Sequence, residues 1–324
     1  MSATLQIETR PFGSGAGVLA RVALGAGGFG GFGSAPEFFG QGLDDAAAAE
    51  VMDRAWELGI THFDTADAYG GGRSERAIGA WIRSRGVRPT LTTKTFNPMA
   101  AGADSGLAPE RVRRQLHDSL ERLGVDSVEL YLAHDHDPRV SASGLAETFE
   151  ALRGEGLIGR WGVSNFDAAE LEEVLATGAP AAIQNGHSLL ERRDEDGVLP
   201  LCERARVAYI VFSPLCGGWL TGKYRRDAAY PVGSRMTQRP EPYLALADDG
   251  TFTALEGLER VAGGLGISMA GTALAWLLAD PRVAQVVVGP SRPEHLQPVR
   301  EAIEHPLDAA TRGRLSELFD GVGT

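Results

Sequence analysis

The chain has 324 residues, which suits either one large barrel or two domains of ordinary size. Hydrophobic residues make up 43% and charged residues 23%, an ordinary balance that excludes general disorder and supplies a sizeable core. The formal net charge of −12 argues against a protein dedicated to holding nucleic acid, because phosphate binding needs clustered Lys and Arg.

The sequence carries no sign of export or membrane insertion. It shows no basic segment followed by an apolar leader and no apolar run long enough to span a bilayer. Cys202 and Cys216 are too few for a disulfide framework and lack the CxxC spacing of a redox or metal motif. We therefore expect a cytoplasmic protein with two reduced thiols.

Short β-rich runs alternate with amphipathic helical runs, which is typical of parallel βαβ units. The predicted strands, in chain order, are Arg21–Leu24, His62–Asp64, Thr90–Lys94, Ser127–Ala133, Gly159–Val163, Ala181–Gln184, Ala208–Phe212 and Val283–Val288. The predicted helices are Ala46–Leu58, Ser74–Arg83, Pro109–Leu123, Leu145–Arg153, Ala168–Ala176, Leu199–Ala205, Met269–Leu278 and Glu294–Ile303, with an extra helix near Thr253–Leu265. Eight such units without a long polar linker predict one (β/α)8 barrel domain over residues 1–324.

Two further features are expected of this barrel. The segment Leu5 to Gly17 precedes the first barrel strand and is predicted to form a hairpin that plugs the bottom. The stretches Phe29–Gly42, Asn97–Leu107 and Arg225–Thr251 are predicted to be long βα-loops. Substrate specificity is expected to reside in these loops, which leaves the physiological substrate open.

Candidate catalytic residues stand at the ends of three neighbouring strands. Asp64 and Tyr69 lie in DTADAYG after the second strand, Lys94 closes the third in LTTK, and His134 closes the fourth in ELYLAH. A barrel brings such strand ends together over one mouth. An ammonium near the phenol stabilises the phenolate and lowers its pKa, a carboxylate can hold that ammonium, and an imidazole can orient a carbonyl. The cluster suits the alkoxide that forms when a hydride reaches a carbonyl carbon.

DTADAYG, TTK and LYLAH, in this order, resemble the catalytic tetrad of the aldo-keto reductase superfamily, and the similarity covers nearly the whole chain. The resemblance implies that Tyr69 is the general acid, Lys94 and Asp64 its tuning pair, and His134 the carbonyl-orienting group. GVSNF, FSPLCGGWLTGK and GPSRPEHL resemble the segments of that family that bind the nicotinamide, the pyrophosphate and the adenosine. The residues so assigned to the cofactor are Gly25, Ala26, Gly27, Asp64, Ser164, Asn165, Gln184, Phe212, Ser213, Pro214, Leu215, Cys216, Gly217, Lys223, Arg235, Gly289, Ser291, Arg292 and His295.

The resemblance implies reversible, NADPH-dependent reduction of an aldehyde, a ketone or an open-chain sugar. NADH remains an alternative cofactor, because His295, Pro298 and Val299 depart from the family pattern around the adenine. Phe29 and Trp219 are expected to line the substrate pocket, although packing is an equally good reading of both. No metal, nucleic acid or membrane partner is expected, and the oligomeric state is open.

Two other functions are compatible with the same residues. Similar barrels serve as β subunits of potassium channels, so a cofactor-sensing subunit with little turnover is one alternative. The sequence HDHD at residues 134–137 offers nitrogen and oxygen ligands, so a metal-dependent barrel hydrolase using His134 and His136 is another. His62 and His187 are interpreted as structural histidines with satisfied ring nitrogens.

Overall fold

The computed structural model describes residues 4–12 and 17–323. Its strands are β1 Thr9–Pro11, β2 Val18–Ala20, β3 Val22–Gly25, β4 His62–Asp64, β5 Thr90–Thr95, β6 Val128–Ala133, β7 Ile158–Ser164, β8 Ala182–Gly186, β9 Ala208–Phe212 and β10 Val283–Val288. Its helices are α1 Asp45–Glu57, α2 Arg73–Arg85, α3 Pro109–Leu123, α4 Ala142–Gly154, α5 Ala168–Thr177, α6 Val198–Ala205, α7 Arg235–Gln238, α8 Asp249–Leu265, α9 Met269–Leu278, α10 Gln297–Glu304 and α11 Ala309–Leu318.

Strands β3 to β10 form a closed parallel barrel in which β10 pairs with both β9 and β3. The predicted (β/α)8 barrel is therefore confirmed, and every predicted barrel strand is present within a few residues of its expected bounds. Helix starts follow from their capping residues. The carboxylate of Asp44 accepts a hydrogen bond from the amide of Ala47, and Asp167 and Glu170 form a reciprocal capping box at the start of α5.

The N-terminal hairpin is also confirmed, with a later end than expected. Strand β1 pairs antiparallel with β2, so the hairpin continues to Ala20 instead of ending at Gly17. Part of its turn, residues 13–16, lies outside the described residues. Phe12 is 2% exposed and packs in one apolar cluster with Leu130 and Ala182 from the barrel strands. The hairpin therefore closes the N-terminal end of the barrel.

The C-terminal third contains more helix than the sequence pattern indicated. Helix α8 begins at Asp249, where the side chain of Asp248 accepts a hydrogen bond from the amide of Thr251. Helix α11 was not predicted, and it is anchored by a 2.9 Å hydrogen bond from Trp276 Nε1 to Ser316 Oγ. In the described part of the chain, no single helix is long and apolar enough to cross a membrane. Helices α8 and α9 pass that test only when joined, and an 87° bend separates them.

Strand alternation decides which side chains face the barrel interior. Leu130 and Leu132 of β6 belong to the interior cluster, whereas Tyr131 packs outward against the helices. One layer of the interior is polar. His62 Nε2 is 2.8 Å from Thr92 Oγ1, and His62 Nδ1 is 3.0 Å from the side-chain nitrogen Nε2 of Gln285. Two residues further along the same strands, the next inward positions carry the predicted catalytic groups.

His62 is expected to make the fold sensitive to acid. Burial lowers the pKa of His62 from 6.5 to about 4, with Lys94 acting in the same direction and Asp64 opposing it. The unfolded chain therefore binds the proton more readily, so this contribution to stability is complete above pH 6.5 and is lost as the pH falls toward 4. Between pH 7 and pH 5 the loss from this one group is about 2 kcal/mol.

Urea unfolding of the wild type and His62→Gln at both pH values measures this contribution. We expect the stability difference between pH 7 and pH 5 to be about 2 kcal/mol smaller in His62→Gln, whatever its absolute stability. His117→Gln, at an exposed position of α3, is the matched control and should keep the wild-type difference. Equal differences in the wild type and His62→Gln would contradict the prediction.

Candidate active site

A buried ion pair lies at the carboxyl ends of β4 and β5. Lys94 Nζ donates to Asp64 Oδ1 at 2.5 Å and to the carbonyl oxygen of Thr65 at 2.9 Å, and both charged side chains are almost completely buried. Gln184 Nε2 donates to the other carboxylate oxygen at 2.7 Å. Burial opposes the ammonium charge, but Asp64 and Tyr69 together raise the pKa of Lys94. The lysine is therefore held charged.

Tyr69 lies beside this pair, in a 3-10 turn that follows β4. Its ring centroid is 5.1 Å from Lys94 Nζ and 5.5 Å from the ring centroid of His134. Gly70 has φ 58°, and a Cβ there would lie 2.8 Å from the backbone of Gly30, so the turn requires glycine. Three strand ends thus deliver the four predicted catalytic residues to one place.

The pKa of Tyr69 differs from the expected direction. Burial raises the pKa of the Tyr69 phenol above its ordinary value of 10, and the opposing effect of Lys94 is smaller. The ammonium of Lys94 does lower this pKa, as expected, but desolvation of the phenolate outweighs that attraction, so the net shift is upward. Tyr69 is a neutral phenol that carries the proton an acid catalyst needs.

His134 follows β6 and faces the same mouth. Its amide donates to the carbonyl oxygen of Thr95 at 3.0 Å, and its own carbonyl oxygen accepts from Asn165 Nδ2 at 2.8 Å. Burial, and then the charge of Lys94, lower the pKa of His134 well below its ordinary value. The ring is therefore neutral near pH 7 and offers one N–H donor.

Asp67 is a site residue that the sequence reasoning missed. Its carboxylate is buried and accepts from Thr95 Oγ1 and from the amide of Ala68, both at 2.6 Å. Burial raises the pKa of Asp67 to about 7. The bond to Thr95 ties the loop carrying Tyr69 to the strand carrying Lys94. The sequence signal for Asp67 was its place in DTADAYG, between Asp64 and Tyr69.

The predicted nicotinamide-binding residues lie together next to Asp64. Ser164 Oγ donates to the carbonyl oxygen of Gln184 at 2.7 Å, and Asn165 Nδ2 lies 3.2 Å from Ser164 Oγ. Asn165 has φ 60°, a conformation that non-glycine residues adopt rarely. Its backbone amide donates to Asn185 Oδ1 at 2.8 Å. Asn185 was not among the predicted cofactor-binding residues, although it directly follows Gln184.

The segment after β9 is a tight turn at the barrel mouth. Phe212 is the last residue of β9, and Pro214, Leu215 and Gly217 lie in the turn. Ser213 and Cys216 have φ 53° and 46°, and such backbone conformations concentrate at functional sites. Both cysteines are free, and burial raises the pKa of the Cys216 thiol to about 12, so it stays protonated.

A group of cations lies beside this turn. Within the described residues neither Lys223 nor Arg235 forms an ion pair with a carboxylate, and each has its charge near an aromatic ring. Burial lowers the pKa of both, and for Lys223 the charges of Arg235 and Arg292 add to the effect. Arg292 Nε donates to His295 Nε2 at 2.8 Å, and His295 Nδ1 is 3.1 Å from Ser291 Oγ. The cluster is rich in positive charge, which fits a phosphate-bearing cofactor.

The first barrel strand supplies the remaining predicted cofactor residues. Gly25 ends β3, and the amide of Ala26 donates to the carbonyl oxygen of Asp64 at 2.8 Å. A Cβ added to Gly27 would lie 3.6 Å from the Tyr69 ring, and Gly289 directly follows β10. All of these backbones therefore border the mouth.

Phe29 and Trp219 do not fit the expected role of lining an open pocket. Phe29 is 1% exposed, and its backbone bridges to Leu43. Trp219 is 0% exposed and packs against Tyr224 and Phe252 at centroid distances of 5.0 and 5.7 Å. Their burial favours the alternative given above, that both rings are packing residues.

The residues of HDHD point in different directions. His136 Nδ1 pairs with Glu170 at 2.8 Å, and Asp137 pairs with Arg139 at 2.7 Å. Over residues 4–12 and 17–323, no three His, Cys, Asp or Glu side chains are grouped so that they could hold a metal ion. His187 is buried between Tyr209 and Trp276, and neither of its ring nitrogens has a hydrogen-bond partner among the described residues, contrary to the expectation of a satisfied structural histidine.

The fold and the site together define a closed parallel β/α barrel with a buried Lys94–Asp64 pair beside Tyr69 and His134 at its mouth. A family model described as "Aldo/keto reductase family" matches residues 21–320, so the chain belongs to the aldo/keto reductase family. It is 33% identical over 303 residues to "Uncharacterized oxidoreductase YrpG" of Bacillus subtilis, covering 88% of this chain and 90% of that protein. It is 29% identical over 283 residues to "Probable voltage-gated potassium channel subunit beta" of Arabidopsis thaliana, covering 82% and 84%. The solved glycerol dehydrogenase AKR11B4 from Gluconobacter oxydans is similar with a TM-score of 0.83 and 25% identity, covering 97% of this chain and 95% of that one.

Proposed function

We propose that this protein reversibly reduces an aldehyde, a ketone or an open-chain sugar to the alcohol, with NADPH as hydride donor and Tyr69 as proton donor. The observation that carries the proposal is the buried Lys94–Asp64 pair directly beside Tyr69 and His134. The printed names of the relatives, an oxidoreductase and a glycerol dehydrogenase, support carbonyl and alcohol chemistry.

Each residue of the cluster has a distinct task in this proposal. A nicotinamide held by Ser164, Asn165 and Gln184 would supply the hydride for the carbonyl carbon. Neutral His134 donates a hydrogen bond to the carbonyl oxygen and orients it. Tyr69 transfers its phenolic proton to that oxygen as negative charge develops there. Lys94, held charged by Asp64, then stabilises the tyrosinate that remains.

The positive cluster supports the choice of NADPH. Among the described residues, Lys223 and Arg235 have no carboxylate partner, and a pyrophosphate would neutralise them. Ser291 and Arg292 follow β10, at the loop where barrels commonly bind phosphate, and they supply donors for a 2′-phosphate. NADH lacks that phosphate and remains the alternative cofactor.

One alternative function has a specific observation in its favour. The similarity to a protein named as a potassium channel β subunit is compatible with a cofactor-sensing subunit that turns over slowly. The hydrolase alternative is weakened by the pairing of His136 with Glu170, because that contact turns the second histidine away from His134.

Cofactor binding followed by turnover tests the proposal. Titration with NADPH and with NADH, followed by intrinsic tryptophan fluorescence, should show saturable and tighter binding of NADPH. Adding a panel of aldehydes, ketones and sugars should then oxidise the cofactor at rates that depend on the carbonyl. Tight binding without turnover on any member of the panel would favour the sensing subunit. Activity that requires a metal and no nicotinamide would favour the hydrolase.

A further inference from the structure

The two ring nitrogens of His134 lie in different surroundings. Nδ1 is 3.4 Å from Nδ2 of Asn97, in the loop that follows β5. Among the described residues, none forms a hydrogen bond with Nε2, and the residue keeps 9% of its surface exposed. Nδ1 thus faces a protein group, whereas Nε2 is left for a ligand.

A neutral imidazole carries its proton on one nitrogen only, and the partner of the other nitrogen decides which. The depressed pKa of His134, caused first by burial and then by Lys94, makes the neutral ring the relevant form. An amide N–H directed at Nδ1 leaves the proton on Nε2. A carboxylate or an amide oxygen in the same place would draw it to Nδ1.

Asn97 is held in place by an arginine from the neighbouring helix. Arg111 of α3 is 3% exposed, and its Nη2 donates to the carbonyl oxygen of Asn97 at 2.8 Å. Its Nη1 donates to Thr95 Oγ1 at 2.9 Å, and the carbonyl oxygen of Thr95 accepts from the amide of His134. The backbones of Asn97 and His134 are therefore fixed relative to the same residue of β5.

We propose that Asn97 is a positioning residue for His134: its amide donates to Nδ1 and keeps the imidazole proton on Nε2, where a substrate carbonyl can accept it. The proposal rests on the reductase function, because an Nε2–H donor serves only a substrate that has an acceptor there. It goes beyond the four-residue cluster because it makes Asn97, which follows a different strand, responsible for the tautomer of His134.

The tautomer can be observed directly by long-range 1H–15N NMR of the 15N-labelled full-length protein at pH 8. The protein has seven histidines, and His134→Gln assigns the signal of His134. We expect the Nε2–H tautomer in the wild type. In Asn97→Asp we expect Nδ1 to carry a proton, since a carboxylate can only accept. Ser105→Asp adds the same charge at an exposed position of the same loop and should leave the tautomer unchanged.

The NMR result decides the proposal independently of turnover. An Nδ1–H tautomer in the wild type, or an unchanged tautomer in Asn97→Asp, would overturn it. If Asn97→Asp does not fold, Asn97→Leu takes its place and should lose the single fixed tautomer. In parallel, kcat for carbonyl reduction should fall roughly 10- to 100-fold in Asn97→Asp, below the loss of about 10²–10³ for removal of a whole oxyanion donor. The expected wild-type tautomer without any carbonyl reduction would refute the proposed function while supporting the role of Asn97.

Discussion

Replacing Tyr69 with Phe is expected to lower kcat for carbonyl reduction by about 10²–10⁴, the usual contribution of a general acid. The substitution removes only the phenolic oxygen and leaves the ring in its place beside Lys94 and His134. NADPH affinity should therefore remain close to that of the wild type. Steady-state kinetics and a tryptophan-fluorescence titration on the same preparation measure the two quantities.

The matched control for this substitution is Tyr131→Phe. Tyr131 lies on the outer face of β6, and its hydroxyl donates to the carbonyl oxygen of Val112 at 3.3 Å. Loss of that hydrogen bond costs about 1 kcal/mol of stability and should not change kcat. Wild-type turnover in Tyr69→Phe would exclude Tyr69 as the proton donor, whereas a loss of activity shared by both variants would indicate structural damage instead.

The barrel and the four clustered residues could be predicted because their signal is local. Asp64, Lys94 and His134 each lie at or directly after the end of a short strand, and a parallel barrel necessarily collects such strand ends on one face. Tyr69 follows Asp64 by five residues in a glycine-bounded turn. The relative positions of these groups therefore follow from topology, without knowledge of any loop conformation.

Properties that depend on burial could not be read in the same way. The sequence places an ammonium near Tyr69 but does not reveal how completely the phenol is desolvated. The net direction of its pKa shift therefore could not be predicted. Trp219 shows the same limit, because an aromatic residue in a glycine-rich loop can face either a pocket or the core. The structure buries it against Tyr224 and Phe252.

Residues that contact a predicted site residue from another loop also escaped the sequence analysis. Asn97 meets His134 only because the loop after β5 folds back over the next strand, and Arg111 reaches that loop from α3. One unused signal was available. The chain contains only two lysines, Lys94 and Lys223, and both lie at the mouth, whereas arginine serves nearly every surface ion pair. Lysine carries a compact point charge, unlike the planar guanidinium of arginine, so these two positions were candidates for a distinct role.

Replacing Lys94 with Met is expected to destabilise the fold by about 3–5 kcal/mol, because it leaves the Asp64 carboxylate buried without its counter-charge. Activity should fall together with stability, so the single variant cannot separate the two roles of the lysine. The double variant Asp64→Asn/Lys94→Met separates them. It removes both charges and keeps an acceptor for Gln184 Nε2, so most of the lost stability should return. Carbonyl reduction should not return, because nothing then stabilises the tyrosinate.

Lys223→Met is the control from the same mouth. Lys223 has no carboxylate partner among the described residues, so its removal should cost little stability while weakening the binding of NADPH. Urea unfolding and steady-state kinetics on the three variants give the comparison. Recovery of activity in the double variant would show that the ion pair only maintains the fold. Recovery of stability alone identifies the Lys94 charge as part of the proton-transfer machinery and Asp64 as the group that makes its burial tolerable.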